Sequence, residues 1–165
     1  MINAGKSFTS IFLTASIPNS GKSTFVNAIL GTERMLTGPE AGITRESIEV
    51  LIHHKNKSIK LIDTAGLRKR ANVTKSLEKL STGDAIESIK YANTVILMLD
   101  ASAALEHQDL SIANYVIEQG RSLIIAVNKW DLVEKDTKTA KEYEERIRER
   151  IKPFKDIPIL FISVH

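Results

Sequence analysis

The chain has 165 residues, of which 42% are hydrophobic and 26% are charged, proportions typical of soluble globular proteins. This length suits one domain with its own core. The net charge of +3, from 23 basic and 20 acidic residues, is too small by itself to indicate a nucleic-acid-binding protein. The absence of cysteine excludes disulfides and thiolate metal sites and is compatible with a reducing cytosol.

The longest apolar run, residues 95–99, is too short to span a bilayer. The N-terminus "MINAGKSFTS" lacks the apolar core of a signal peptide. We therefore expect a cytoplasmic protein with no membrane contact.

Hydrophobic periodicity predicts strands that alternate with helices along the chain. Predicted strands cover residues 8–15, 47–52, 58–63, 94–100, 122–128 and 157–163. The second and third are expected to form a hairpin joined by "HHKNK". Predicted helices cover residues 23–30, 106–119 and 138–151. A further helix, second in chain order, is predicted from the helical spacing of Leu77, Leu80, Ile86 and Ile89. Gly31 and Gly120 are expected to end the first and third helices. One face of the last helix is predicted to contain Ala140, Tyr143, Ile147 and Ile151.

The continuous apolar runs "TVILMLD" and "SLIIAVN" are typical of strands buried on both faces. Together with the alternating helices they predict an α/β fold around a mostly parallel sheet that is flanked by helices. Ligands in such folds bind beyond the carboxyl ends of the strands. Three polar motifs fall at those ends.

The first motif, "IPNSGKST", lies between a predicted strand and a predicted helix, as a phosphate-binding loop does. Backbone N–H groups at the start of the helix would point at the β-phosphate. Lys22 would bridge the terminal phosphates, and Ser23 would bind Mg²⁺. Taken alone, the motif is also compatible with an ordinary helix start. The predicted nucleotide contacts in this loop are Ser16, Ile17, Pro18, Asn19, Ser20, Gly21, Lys22, Ser23 and Thr24.

The second motif is "DTAG", residues 63–66. Asp63 could hold Mg²⁺ through a water molecule, and the backbone N–H of Gly66 could approach a γ-phosphate. Thr64 and Ala65 complete this set of predicted nucleotide contacts. By itself the motif is better interpreted as a simple turn, but its position one hairpin after the phosphate loop favours the nucleotide site. Thr44, in the loop before the second strand, is predicted to bind Mg²⁺ and sense the γ-phosphate as a switch residue.

The third motif, "NKWD" at residues 128–131, predicts recognition of guanine. Asp131 can accept hydrogen bonds from the N1–H and the exocyclic amine of guanine, whereas adenine would leave the carboxylate unpaired. Asn128 can bind the other edge of the base and tie loops together, and the stem of Lys129 can lie over the ring. Trp130 is interpreted as a packing residue. Ser163 and Val164 are expected where a final loop touches the base.

In this order the motifs resemble those of translation-factor-like GTPases. The segments "IPNSGKSTFVNAILG", "GPEAGITRES", "LIDTAGLRKR" and "NKWDLVE" resemble the Der (EngA) family, bacterial GTPases with two tandem G domains and a KH-like domain. "LEKLSTGDAIESIKYANTVILMLDA" is similar to the second G domain, and the similarity runs from Ile11 to Ser163. An MnmE-like tRNA-modification GTPase shares the "PN.GKS" and "DTAG" elements, but "NKWD" and "GPEAGITR" favour Der.

The resemblance implies a P-loop NTPase G domain that binds GTP and GDP, hydrolyses GTP slowly and acts in assembly of the large ribosomal subunit. The basic stretch after "DTAG", from Arg68 to Lys79, would then contact the subunit or its RNA, although it could equally be a solvated loop.

The resemblance also implies a catalytic style. Leu67 stands where many GTPases carry the glutamine that orients the attacking water. Some relatives that lack this glutamine use K⁺ bound by an asparagine of the phosphate loop, the position of Asn19 here. The predicted catalytic groups, which stabilise charge, are Asn19, Lys22, Thr44 and Gly66.

Two departures from the family pattern qualify these expectations. Ser16 replaces a glycine, which would weaken binding by about 1 kcal/mol if that position needs a positive φ. The chain ends at His165, before the helix that covers the last strand in the family. Residues 1–165 are thus predicted to be a single G domain truncated after its last strand, without its C-terminal helix, companion G domain or KH-like domain. The alternative is a guanine-nucleotide-binding or docking module with weakened affinity or no hydrolysis.

Overall fold

The computed structural model of the chain describes residues 8–14, 20–32, 50–55, 57–62, 83–103, 105–134, 136, 138–151 and 156–164. Within them lie six strands: β1 Phe8–Thr14, β2 Val50–His54, β3 Lys57–Ile62, β4 Thr94–Asp100, β5 Ser122–Asn128 and β6 Ile159–Phe161. The α-helices of this part of the chain are α1 Lys22–Thr32, α2 Gly83–Tyr91, α3 His107–Glu118 and α4 Thr139–Arg150. A short 3-10 helix, Trp130–Leu132, follows β5.

The strands form one sheet in the order β2-β3-β1-β4-β5-β6. β2 runs antiparallel to β3, and every other neighbouring pair is parallel. The predicted α/β class with a mostly parallel sheet is confirmed. The chain reaches β3 on one side of β1 and β4 on the other. The carboxyl end of β1 therefore lies where connections diverge, which is the usual ligand position in open sheets of this kind.

Both faces of the central strands are covered, which explains their continuous apolar sequences. Because successive side chains of a strand point to opposite faces, alternate residues of β4 enter different cores. Val95 and Leu97 are buried with residues of α3 and α4. Met98 is buried on the other face with Leu13 of β1 and Val26 of α1.

The hairpin between β2 and β3 is tighter than the sequence predicted. β2 continues through His53 and His54, and His54 pairs with Lys57, so these histidines belong to the strand rather than to the joining segment. Lys55 takes up a positive φ of 44° in the turn, the backbone region that tight hairpin turns of this hand require. His53 Nδ1 and Ser58 Oγ share a 2.9 Å hydrogen bond across the hairpin.

The helices also differ in detail from the predictions. α1 continues through Gly31 to Thr32, so the expectation that Gly31 ends the helix is wrong, and the helix runs two residues past the predicted end at residue 30. Gly120 follows α3 with a φ of 66°, as predicted for a terminating glycine. In α4, Ile147 is buried and Tyr143 half-buried, but Ala140 is exposed because the helix packs on the core only from its second turn onward.

Other predicted features lie outside the described residues, among them Leu77, Leu80 and the segments 33–49 and 63–82. No helix in the described part of the chain is long and apolar enough to cross a membrane.

Candidate functional site

The carboxyl ends of β4 and β5 lie side by side, and the "NKWD" motif begins at the end of β5. Asp100, the last residue of β4, is in register with Asn128, the last residue of β5. The backbone N–H of Ala101 donates a 2.8 Å hydrogen bond to the carbonyl of Asn128. The loops that leave these strands therefore start from one fixed point at the edge of the sheet.

Asn128 connects three separate segments of the chain. Its side chain is completely buried. Nδ2 donates a 3.0 Å hydrogen bond to the carbonyl of Ser20, just before α1. Oδ1 accepts a 3.0 Å hydrogen bond from the N–H of Val164, just after β6. A neutral amide suits this position because it offers a donor and an acceptor at once, and the prediction that Asn128 ties loops together is confirmed.

Gly21 makes this connection possible. Its φ is 92°, a conformation that side chains with a Cβ rarely adopt. A Cβ built on Gly21 would lie 2.0 Å from Asn128 Nδ2, far inside van der Waals contact. Glycine is therefore required here for two independent reasons, backbone conformation and space.

The helix that follows begins directly at this point. The carbonyl of Gly21 accepts a 2.8 Å hydrogen bond from Phe25 N–H, and α1 starts at Lys22. Lys22 Nζ lies 3.3 Å from Ser20 Oγ, to which it donates. The partial positive charge of the helix N-terminus and the lysine ammonium thus lie together, an arrangement that favours an anionic ligand.

Lys129 leaves the end of β5 in a left-handed conformation, with φ 61° and ψ 31°. Its Nζ lies 2.6 Å from Asp100 Oδ2. The other oxygen of Asp100 accepts hydrogen bonds from Ser102 N at 2.9 Å and Ser102 Oγ at 2.6 Å. Burial raises the pKa of Asp100, but the hydrogen bonds from Lys129 and Ser102 and the charge of Lys129 outweigh it, so that the pKa lies below its ordinary value of 3.8. The Asp100 carboxylate is therefore ionised at neutral pH.

Sequence reasoning did not include Asp100 in the site. The available signal was a carboxylate that ends an otherwise apolar buried strand, since a charge in such a position needs a partner. Which residue would be that partner depended on the sheet register, which pairs the ends of β4 and β5.

The segment after Lys129 is fixed against β6. Trp130 N–H donates a 3.1 Å hydrogen bond to the carbonyl of Ile162, and Asp131 N–H donates a 3.0 Å hydrogen bond to Ser163 Oγ. The Trp130 ring packs against Phe161 and Tyr143, with centroid distances of 4.3 and 5.4 Å. Trp130 is therefore a packing residue, as predicted, while the Asp131 residue is exposed at the surface.

The structure thus brings together one part of the predicted site, namely Ser20, Gly21, Lys22, Thr24, Asn128, Lys129, Asp131, Ser163 and Val164. For Ser23 only the backbone, at the start of α1, is described. The remaining predicted residues lie outside the described part of the chain: Ser16, Ile17, Pro18, Asn19, Thr44, Asp63, Thr64, Ala65 and Gly66.

A sheet of this order, with a glycine-dependent turn into α1 at its switch point, defines a P-loop nucleotide-binding protein of the α/β class. The link from that turn to "NKWD" through Asn128 narrows the class to the GTPase type. The chain belongs to the 50S ribosome-binding GTPase family, whose model matches residues 12–129.

Among curated proteins, the chain is 62% identical over 148 residues to GTPase Der of Rickettsia typhi and 61% identical over the same length to GTPase Der of Rickettsia prowazekii. These alignments cover 88% of this chain but only 33% of each relative, so the chain spans about a third of their length. They confirm the predicted resemblance to the Der family. Similarity to the second rather than the first G domain stays a prediction.

Solved structures show the same fold. The chain superposes with a TM-score of 0.67 and 25% identity on Era in complex with MgGDPNP and nucleotides 1506–1542 of 16S ribosomal RNA, covering 96% of this chain and 52% of Era. The elongation factor SelB of Methanococcus maripaludis, bound to GppNHp, also gives a TM-score of 0.67 at 14% identity, covering 94% of this chain and 29% of that one. This second likeness concerns the fold alone.

Proposed function

We propose that residues 1–165 form one G domain that binds and hydrolyses GTP in a ribosome-assembly GTPase. The observation that carries the proposal is the buried Asn128 side chain at the end of β5. Its amide is hydrogen-bonded both to the turn before α1 and to the segment after β6, so these two segments lie on either side of it. A ligand that spans both regions needs phosphates at one end and a flat polar base at the other. A guanine nucleotide has this form.

Guanine would be selected at Asp131. The carboxylate accepts hydrogen bonds, and guanine presents two neighbouring donors, N1–H and the exocyclic amine. Adenine lacks this pair of donors. If adenine bound here, the carboxylate would lose its hydrogen bonds to water and gain none from the base, which is unfavourable. Ser163 Oγ and Ile162 O accept hydrogen bonds from the backbone of this segment, which supports the proposal that the Asp131 carboxylate is presented to the base from an ordered backbone.

The test is a titration with fluorescent GDP, with ATP and GTP as competitors. GTP should displace the probe and ATP should not. Asp131→Asn should weaken GDP binding about fivefold to 150-fold, because an unpaired buried polar group costs about 1–3 kcal/mol. The same change should improve binding of xanthosine diphosphate, whose second carbonyl accepts a hydrogen bond from the new amide. Failure of the unmodified chain to bind either GDP or GTP would refute the proposal.

The phosphates would lie at the start of α1, where Lys22 supplies a positive charge and the helix N–H groups supply donors. Ser23, Thr44 and Asp63 are the proposed ligands of Mg²⁺, and their oxygen donors are of the kind that this ion prefers. When bound, Mg²⁺ would neutralise charge that develops on the β- and γ-phosphates. Lys22 and the backbone of Gly66 would stabilise the same charge while a water molecule attacks the γ-phosphate.

Asn19 is proposed to bind K⁺, which would explain how hydrolysis proceeds with Leu67 in place of a glutamine. Single-turnover hydrolysis of GTP should then be faster in potassium than in sodium buffer, and Asn19→Ala should remove the difference. Equal rates in the two buffers would refute the role of potassium. A parallel Ser16→Gly variant tests whether Ser16 weakens the site. Tight GDP binding with no hydrolysis in either protein would favour the non-hydrolysing binding module.

The proposed partner is the large ribosomal subunit or its RNA, contacted through the basic stretch between Arg68 and Lys79. A ribosomal partner in turn suggests a cytoplasmic location. The support is the family to which the chain belongs and the number of lysines and arginines in that stretch. Co-sedimentation with purified 50S subunits should depend on a GTP analogue and fall steeply with salt, as phosphate contacts do. Co-sedimentation that is equal with GDP and with the GTP analogue would argue against a nucleotide-dependent contact.

A further inference from the structure

Asp100 has a position that the motifs of the nucleotide site do not explain. It lies on β4, whereas the residues proposed to contact the base lie at the end of β5 or after β5 and β6. Its side chain nevertheless reaches across the two strand ends to Lys129, at 2.6 Å. We propose that Asp100 is a positioning residue for guanine binding, which fixes the Lys129 ammonium group so that the stem of this side chain can lie over the base. This inference rests on the proposed function.

The carboxylate is itself held rigidly. One oxygen accepts two hydrogen bonds from Ser102, through its N–H and its hydroxyl, and the other faces Lys129. Only 8% of the Asp100 surface is exposed, so little water competes for its carboxylate, whereas 32% of the Lys129 side chain is exposed. A buried carboxylate with fixed geometry forms a stronger and better-directed ion pair than a surface one.

The lysine is fixed at its other end as well. Its backbone is left-handed, and the Asn128 side chain and the Trp130 N–H pin the residues on either side. With both ends held, the four-carbon stem has few remaining conformations. The stem is the part of Lys129 proposed to cover the guanine ring. By ordering the stem in the free protein, Asp100 reduces the conformational entropy that Lys129 would lose when the base binds.

The role can be separated from simple structural support by a double-mutant cycle. Asp100→Asn keeps the shape of the side chain and its acceptor for Ser102 but removes the charge facing Lys129. Lys129→Met keeps most of the apolar stem and removes the ammonium group. Dissociation constants for fluorescent GDP are measured for the unmodified chain, both single variants and the double variant.

Asp100→Asn should weaken GDP binding about threefold to tenfold in the presence of Lys129, the range expected when one long side chain must be ordered on binding. In the Lys129→Met background the same change should have no weakening effect. The apparent KM for GTP should rise while kcat stays constant, because the base contact is remote from the γ-phosphate. Glu144→Gln, which breaks the 2.6 Å ion pair with Arg148 on α4, is the matched control and should leave GDP affinity unchanged.

Equal weakening by Asp100→Asn in both backgrounds would overturn the inference and make Asp100 a scaffold residue only. No weakening in either background would overturn it as well. Thermal unfolding of each variant without nucleotide shows whether the fold is retained. If the unmodified chain binds no GDP, the proposed function fails instead, so the two failures are distinguishable.

Discussion

Replacing Gly21 with alanine tests the central connection of the site. The new Cβ would lie 2.0 Å from Asn128 Nδ2 and 3.3 Å from its Cγ. Because Asn128 is fully buried, its amide cannot swing into solvent, and either it or the backbone of the turn must move. Movement of either breaks the hydrogen bond to the Ser20 carbonyl.

The cost has two parts. A residue with a Cβ in a left-handed conformation costs about 1–2 kcal/mol, and a buried amide left without its partner costs about 1–3 kcal/mol. The free energy of unfolding should therefore fall by about 2–5 kcal/mol. GDP affinity should fall more than about tenfold as well, since the displaced backbone leads directly into α1.

Two other glycines separate these parts. Gly120 has a φ of 66° with nothing within 4 Å of a built Cβ, so Gly120→Ala should show only the conformational cost of about 1–2 kcal/mol. Gly31 lies in α1 and also has open space around it. Gly31→Ala should stabilise the chain by about 0.5–1 kcal/mol.

Urea unfolding of the three variants measures the free energies, and fluorescent GDP titration measures the site. The expected order of stability is Gly31→Ala, then Gly120→Ala, then Gly21→Ala. The reasoning would be refuted if Gly21→Ala were as stable as Gly120→Ala and bound GDP as tightly as the unmodified chain.

Two further outcomes follow from the same region. Asn128→Ala should lower the free energy of unfolding by about 2–4 kcal/mol, because it leaves the Ser20 carbonyl and the Val164 N–H without their partner. The control is Asn93→Ala, which removes an exposed hydrogen bond to Ser10 N–H and should cost less than about 1 kcal/mol in the same urea assay. Equal losses in the two variants would contradict the argument. The lowered pKa of Asp100 means that the folded chain binds fewer protons than the unfolded chain in the acid range near and below the ordinary pKa of 3.8. Its stabilising contribution should therefore be present above about pH 4 and be lost as the pH falls towards the folded pKa. Asp100→Asn should flatten the curve of stability against pH in this range, and an unchanged slope would contradict the assignment; the exposed Asp136, whose pKa is also lowered, keeps its own contribution in both proteins.

The fold class could be predicted because the signals are local and strong. Continuous apolar runs such as "TVILMLD" have the length and composition of strands covered on both faces. The element boundaries were less predictable. His53 and His54 look like loop residues by composition, yet pairing with β3 holds them in β2. Ala140 follows the helical period of Ile147, but the helix packs on the core only further along.

The parts of the candidate site that consist of consecutive residues could also be predicted from the sequence. "GKST" and "NKWD" each carry donors and acceptors suited to one end of a guanine nucleotide. The ion pair of Asp100 with Lys129 was not predictable, because it joins residues on different strands. Its partners meet only through the register of β4 with β5.

The sequence by itself determined the alternation of strands and helices and the chemical character of the phosphate and guanine motifs. These depend on side-chain type and on spacing within a few residues. Only the tertiary structure decided that Asn128 binds the carbonyl of Ser20 and that a Cβ on Gly21 would collide with it. These two residues are far apart in the chain. Their contact depends on how β1 and β5 are placed around β4, and placement in a sheet is fixed by the packing of the whole core.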